Sequence, residues 1–366
     1  MRIAIDAREL LGQRTGVGRY LWQLLLAWNE IPAAAGHEFI ICSPDAHDLA
    51  PVLPNLHLTH RHRPRFRGTF WEQLSLPLLA TDANVLFAPA YTGPIVGRTP
   101  IVLTIHDVSF AAHPEWFAWR EGLRRRLLTR VSARRAARII TVSGFSKREI
   151  VRRLGIYPDK VEVIYSGVHQ VIPTSQAVSV TPGVRESHPL VLYVGSIFNR
   201  RHVPELIRAF ALLARRHPGA RLTIVGDNRT MPRVDVSSLI ATSGVANRIR
   251  MREYISDEEL ASLYADASAF AFLSDYEGFG FTPLEALAVG VPPVVLDTEV
   301  AREIYGPSAI YVAQPKPELI ADALESILSS QSERQRVLGG APGVLARYSW
   351  HECAHRTLQV LLACAS

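Results

Sequence analysis

Short apolar, β-branched runs alternate with segments of helical period, and this pattern is played twice along the 366 residues. In the first series the runs fall at 2–6, 38–42, 85–88, 101–105, 139–142 and 161–165, with helical segments such as 18–28 and 116–138 between them. In the second they fall at 190–194, 221–225, 269–273 and 293–296, with helices over 203–215 and 283–289. The runs are nearly continuous in apolar residues and do not alternate, as expected of parallel strands covered on both faces. From about Val168 to Pro189 the pattern stops in a stretch rich in Pro, Ser, Thr and Val, which reads as a connection between domains. The sequence therefore predicts an α/β protein of two doubly wound, Rossmann-like domains, over 1–170 and 190–345, with a linker at 171–189 and a C-terminal helix within 346–366. Ligands of such sheets bind beyond the carboxyl ends of the strands, so two facing sheets would enclose a cleft.

Three cysteines, Cys42, Cys353 and Cys364, lie far apart and never in C-x-x-C spacing. That argues against a disulfide framework and a structural zinc site, and favours a reduced, cytosolic location. The opening MRIAIDAREL has no apolar run long enough for a signal peptide, and no run reaches the roughly 18 apolar residues of a membrane span. Charge is uneven. Residues 1–180 hold 22 Lys+Arg against 14 Asp+Glu, whereas 181–366 hold 18 against 20. A basic first half suits an anionic partner: phosphates, lipid head groups or nucleic acid.

The densest constellation is DYEGFGFTPLEALAVGVP, from Asp275 to Pro292, directly after an expected buried strand. Gly278 and Gly280 permit close backbone approach to a ligand. Thr282 is expected to cap the next helix, with Pro283 at its first position and Glu285 at its third. A helix N-terminus behind a glycine-bearing loop presents N–H groups to an anion. Glu277 and Glu285 flank that loop, and carboxylates accept well from sugar hydroxyls. Amides for phosphate and carboxylates for hydroxyls together suit a phosphorylated sugar.

This run resembles the E-x7-E signature of retaining glycosyltransferases of the GT-B fold, in the large bacterial family four. The resemblance implies that Glu277 contacts the donor sugar's hydroxyls and that Glu285 binds the ribose of the nucleotide. It places the amides of Gly278, Phe279, Gly280, Phe281 and Thr282 against phosphate and sugar. It extends over nearly the whole chain, is weakest at 29–81 and in the linker, and implies that the C-terminal helix crosses back onto the first domain.

Four further features join it. After the first strand of the second half, Tyr193-Val-Gly195-Ser-Ile-Phe-Asn-Arg200-Arg201-His202 sets a Gly turn before two adjacent guanidiniums, which can clamp a diphosphate. It is similar to the family's Gly-x-Leu-x-x-Arg-Lys, with Arg201 where lysine is usual. Arg14-Thr-Gly16-Val-Gly18 follows the first strand. It lacks the third glycine of a dinucleotide fingerprint, and the resemblance lays it over the donor diphosphate. Thr104-Ile-His106-Asp107 ends another strand, and the resemblance brings His106 to the donor sugar's 6-hydroxyl or beside the reacting centre. Asp107, Ser143 and Lys147 are acceptor-side candidates. On the expected helix from Trp116 to Arg138, Trp119, Leu123, Leu127 and Val131 form an apolar stripe among many arginines. Such a helix either packs on the core or meets an anionic membrane holding a lipid-linked acceptor. No nucleic-acid motif accompanies the arginines.

The expected reaction is transfer of a hexose, with mannose favoured, from a GDP- or UDP-linked donor to a glycan or lipid-linked acceptor in surface polysaccharide synthesis. The resemblance implies retention of configuration by same-face attack. No cofactor is expected and no metal, since fixed cations would neutralise the leaving diphosphate and no D-x-D site stands out. A sugar-nucleotide epimerase, an inverting transferase of the same fold and a non-catalytic sugar-binding homologue are the alternatives.

Overall fold

The computed structural model describes residues 1–12, 16–46, 49–168 and 188–365. They form two compact units, one of Met1–Gly167 with Tyr348–Ser366, the other of Val168–Arg347. Most of the expected linker, 171–187, lies outside the described residues.

In the first unit seven parallel strands are hydrogen-bonded in the order β3-β2-β1-β4-β5-β6-β7. They are β1 Arg2–Asp6, β2 Glu38–Ser43, β3 His57–His62, β4 Val85–Ala88, β5 Ile101–Thr104, β6 Arg138–Thr141 and β7 Val161–Val163. Side chains alternate across the sheet. Ile3 and Ile5 of β1 enter a core with Leu21, Leu24 and Trp28 of helix Val17–Glu30, whereas Ala4 between them joins a second core with Ile40, Leu86 and Ile139. Helix Trp350–Ala365 closes the first core with Cys353, Leu358 and Leu361. Inside it, Trp28 Nε1 donates to the carbonyl of Ala354 at 2.8 Å, so the buried indole N–H is satisfied by a residue from the far end of the chain.

The second unit has six parallel strands in the order β10-β9-β8-β11-β12-β13. These are β8 Leu190–Val194, β9 Arg221–Val225, β10 Ile249–Arg252, β11 Ala269–Phe272, β12 Pro293–Leu296 and β13 Ile310–Val312. Helix Val203–Arg216 buries Leu206, Ile207, Phe210 and Leu213 and lies along helix Pro317–Ser329. β3, β10 and β13, which the sequence pattern does not announce, are all outermost strands. The expected helix at 116–138 is divided: a 3-10 turn at Pro114–Trp116 precedes the α-helix Trp119–Arg135.

Gly167 ends the first unit against the returning helix. A Cβ there would stand 2.3 Å from the Trp350 backbone nitrogen and 2.4 Å from its indole Cγ. Gly167→Ala should therefore force the two segments apart, at a cost of about 1–3 kcal/mol. A lowered thermal midpoint in calorimetry is the expected result; an unchanged one would mean that this approach is not needed.

Candidate active site

β8 is the strand at which the second sheet reverses its winding, with β9 on one side and β11 on the other. Chain segments leaving β8 and β11 depart in opposite directions, which opens a crevice at their carboxyl ends. The first passes through Gly195 and Ser196 to a 3-10 turn at Asn199–Arg201. The second is the loop from Ser274 to Gly280.

Across this crevice Arg201 Nε donates to Glu277 Oε1 at 2.8 Å. Arg201 also donates to the Ser196 carbonyl at 2.9 Å, and its guanidinium lies over the rings of Phe272 and Phe198. Ser274 Oγ donates to the same Glu277 oxygen at 2.8 Å. Both charged side chains are largely out of water, 13% and 16% exposed, so each depends on the other. Burial pushes the Glu277 carboxyl up. The charges of Arg201 and Arg200 and the hydrogen bonds from Arg201 and Ser274 outweigh it, leaving the group below its ordinary range. Burial likewise opposes the charge on Arg201, and Glu277 more than restores it. Arg200 lies beside the pair, its guanidinium 4.4 Å from the Phe198 ring centre.

The helix after the loop runs from Phe281 to Ala288, and its cap differs from the expectation. Thr282 is not the N-cap. Gly280 is, at φ 87°, a left-handed conformation that a side chain would resist. There is no room for one either: a Cβ on Gly280 would lie 2.1 Å from the Tyr305 hydroxyl, which donates to the Gly280 carbonyl at 2.9 Å. Thr282 and Pro283 thus occupy the second and third helical positions. The Thr282 hydroxyl is buried and makes no hydrogen bond among the described residues. Glu285 is buried at 3% exposure and accepts from the Tyr264 hydroxyl at 3.0 Å. Phe279 is buried and packs at a tilt on Phe281. Gly278 sits between Glu277 and Phe279. A small cavity beside Glu277 is lined by Phe272, Ser274, Phe279 and Tyr305. A larger depression of about 360 Å³ beside the start of β13 holds Arg302 and Arg336, which are paired with Asp297 and Glu333, and it contains none of the expected site residues.

In the first unit His106 and Asp107 follow β5. His106 Nε2 is 2.9 Å from the Pro89 carbonyl. A carbonyl only accepts, so Nε2 carries the proton and Nδ1 keeps its lone pair. Burial lowers the imidazole pKa against that hydrogen bond, so at neutral pH the ring is uncharged and offers an acceptor. Tyr20 meets the ring edge-on at 4.9 Å, and Tyr91 lies 5.5 Å away. Tyr91 adopts φ 65°, and its hydroxyl donates to Asp107 Oδ2 at 3.0 Å, while Asp107 Oδ1 accepts from the Ser109 amide. Ser143, expected on the acceptor side, is wholly buried and caps helix Gly144–Leu154 through the Ser146 amide. It serves structure because the β6 end turns straight into that helix. Lys147 is half-buried on the helix's first turn. Gly16 caps helix Val17–Glu30 and Gly18 is buried in its first turn; Arg14 lies outside the described residues.

Sequence reasoning passed over two neighbours of these sites. One is the half-buried Arg8, whose Nη2 lies 2.7 Å from both Asp6 and Glu72 at the end of β1. The other is His202, in left-handed conformation at φ 48°, with Nε2 2.6 Å from Asp275 and Nδ1 3.6 Å from Glu205. A histidine directly after two arginines in a βα turn was the available signal for the second. Burial lowers the His202 pKa, but the two carboxylates raise it further, to about 9. A group whose folded pKa exceeds its unfolded value adds stability that is complete below about 6.5 and is lost as pH rises through about 9. The thermal midpoint of the native chain should therefore exceed that of His202→Gln most at pH 6, with the gap closing by pH 10. A gap that does not change with pH would show that His202 is not charged there.

Comparison with known proteins agrees with the fold just described. Residues 14–170 match the model of Glycosyltransferase Family 4, and residues 177–340 match that of Glycosyl transferases group 1. An uncharacterized glycosyltransferase of Methanocaldococcus jannaschii is 28% identical over 244 residues, 63% of this chain and 61% of that protein, so less than two thirds of that relative's length is aligned. The O-antigen chain mannosyltransferase B of Escherichia coli is 28% identical over 70% of this chain and 68% of its own. The crystal structure of Anabaena HepE in complex with UDP-glucose superposes with a TM-score of 0.75, at 17% identity, over 99% of this chain and all of that one. With two parallel-sheet units and both parts matched by glycosyltransferase models, the chain has the GT-B fold of the group 1 glycosyltransferases.

Proposed function

We propose that the chain transfers a hexose, mannose in preference, from a GDP- or UDP-linked donor to a glycan or lipid-linked acceptor of a surface polysaccharide, with retention and without a metal. The observation that carries this reading is the Arg201–Glu277 pair at the β8/β11 switch point, with Arg200 beside it and the Gly280-capped helix opposite. This one crevice offers cations and helix N–H groups to a diphosphate and buried carboxylates to hydroxyls. The E. coli relative's mannosyltransferase name and the UDP-glucose bound to HepE support the donor class. Cytosolic action at the inner face of a membrane fits three cysteines that are all free.

Breaking the bond between an anomeric carbon and a diphosphate spreads positive charge over the sugar and negative charge over the leaving group. Arg200, Arg201 and the N–H groups of Phe281 and Thr282 would stabilise the departing phosphate. The buried Thr282 hydroxyl is a further donor toward it. Glu285, held by Tyr264, would accept from a ribose hydroxyl. Neutral His106 would accept from a sugar hydroxyl through Nδ1; as an uncharged acceptor it orients the sugar without repelling developing positive charge. Glu277 is committed to Arg201 and Ser274. In this reading it orients the cation and contacts the sugar, and the acceptor hydroxyl attacks the face from which the diphosphate departs, passing its proton to the departing phosphate. Asp107 and Lys147 remain the acceptor-side groups.

Incubation with GDP-mannose or UDP-glucose and a lipid-linked acceptor should give a product with the donor's anomeric configuration by NMR, and no glycosyl adduct on Glu277 or Glu285 by mass spectrometry. An inverted product or a trapped adduct would overturn the retaining, same-face reading. Glu285→Ala should weaken nucleoside diphosphate binding about 10–100-fold in calorimetry, the loss expected for a charged hydrogen-bond acceptor. Affinity equal to the native chain's would remove Glu285 from the donor site. Separately, Glu277→Ala leaves Arg201 buried and unpaired and should lower the unfolding free energy by about 3–5 kcal/mol in the absence of donor. A variant as stable as the native chain by urea denaturation would show that the pair is not needed for folding.

A further inference from the structure

Helix Trp119–Arg135 is packed the opposite way to most helices on a sheet. Toward the core it turns small or polar residues: Gly122, Thr129, Ser132 and Ala133 are buried. Toward water it turns Trp119 at 71% exposure, Leu127 at 56%, Leu123 and Val131. A second exposed apolar row stands beside it on helix Gly68–Leu74, with Phe70 at 70% and Leu74 at 50%. The two helices are tied together. Arg124 donates to Thr69 Oγ1 at 2.7 Å, and Ser132 and Gln73 both donate to the Gly93 carbonyl, at 3.0 and 3.2 Å. The exposed rows therefore belong to one face of the first unit, and such a contiguous apolar face on a soluble domain marks an interaction surface.

Charge identifies the occupant. Between Trp119 and Arg138 the chain carries eight arginines and a single acid, Glu121. At 100° per residue, Arg120, Arg130 and Arg134 fall between the apolar side chains on the outward side of the helix. Glu121 is taken up by Arg124 and Arg125. The segment entering the second helix adds Arg63 and Arg65, together with Arg67, which is paired with Asp45. Apolar side chains interleaved with arginines suit a bilayer interface, where the rings and aliphatic groups enter the acyl boundary and guanidiniums reach anionic head groups. A protein partner would instead call for acids matched to individual arginines.

We infer that helices Gly68–Leu74 and Trp119–Arg135 together form a docking face for an anionic lipid bilayer. Both helices run back from the carboxyl ends of their preceding strands, so Phe70 and Trp119 lie toward the edge of the unit that holds His106 and Asp107. Docking through them brings that edge to the head-group layer, where an acceptor on a lipid carrier would present its sugar. This rests on the transfer reading only for the acceptor's identity; the docking itself does not.

The test is co-sedimentation of the full chain with phosphatidylcholine vesicles, with and without about one third phosphatidylglycerol. The expected result is binding to the anionic vesicles alone, weakened at least about tenfold by the double substitution Leu123→Ser with Leu127→Ser and, separately, by Phe70→Ser with Leu74→Ser. Nucleoside diphosphate affinity and thermal midpoint should be unchanged in both variants, since these side chains are exposed. Equal binding to pure phosphatidylcholine, or anionic binding indifferent to the apolar substitutions, would overturn the proposal. So would retention of soluble polyphosphate in preference to the anionic vesicles, which would assign the face to a polyanion in solution. If vesicle binding behaves as expected while no donor is bound, docking stands and the transfer reading falls.

Discussion

Two charges that have lost most of their water at the end of β8 and β11 can persist only together. Arg201 without Glu277 would be a cation largely out of water, left with the Ser196 carbonyl, the Tyr193 side chain and two aromatic faces; Glu277 without Arg201 would be pushed toward neutrality. Their pairing fixes the loop after β11 against the turn after β8. The rest of the crevice is arranged from that fixed point. The Glu277 backbone leads through Gly278 and Phe279 to Gly280, whose left-handed turn starts the helix that carries Thr282 and Glu285. On the other arm, the Asp275 amide donates to the Arg200 carbonyl at 2.9 Å, and the Asp275 carboxylate takes His202. The same few residues thus set the positions of both guanidiniums, the helix N-terminus and the two carboxylates.

A site of this kind is prepared for charge before any ligand arrives. A diphosphate leaving group needs positive potential in place at the moment the bond breaks, and reorienting mobile side chains at that moment would add to the barrier. Here Arg201 is held by a carboxylate, a carbonyl and two rings, and Glu285 by a tyrosine hydroxyl. His106 makes the complementary choice in its own unit. Burial keeps it neutral and the Pro89 carbonyl keeps its proton on Nε2, so what it presents is a lone pair.

The parts of this arrangement that were legible in the sequence are those that physics forces into pattern. The inner strands β1, β4, β5, β8, β11 and β12 are covered on both faces, must be apolar throughout, and stood out as such. The three strands that did not stand out are edges. β3 reads HLTHRH and β10 reads IRMR, which an edge strand open to solvent tolerates, and β13 is only three residues long. Glu277, Glu285, Arg200 and Arg201 were found because glycine, charge and helix start coincide locally. Their partners were not. Tyr264 meets Glu285 from a helix 21 positions earlier, and Tyr305 meets Gly280 from 25 positions later, and nothing local marks either tyrosine as one that faces the site. The Thr282 cap was misassigned for a related reason. Thr before Pro is a good local cap, but Tyr305 and the left-handed Gly280 move the helix start back by two residues.

Helix Trp119–Arg135 shows the limit of periodicity itself. An i,i+4 apolar stripe gives one face of a helix its character without saying which way that face is turned. What decides the matter is the other face. The opposite side of this helix offers Gly122, Thr129, Ser132 and Ala133, small enough to approach a sheet closely and able to settle their hydroxyls, as Ser132 does on Gly93. Large apolar side chains with arginines between them could not have been buried there without stranding guanidiniums in the core, at a cost far above that of leaving a tryptophan wet. The arginines therefore determine the orientation, and the exposed stripe follows from them.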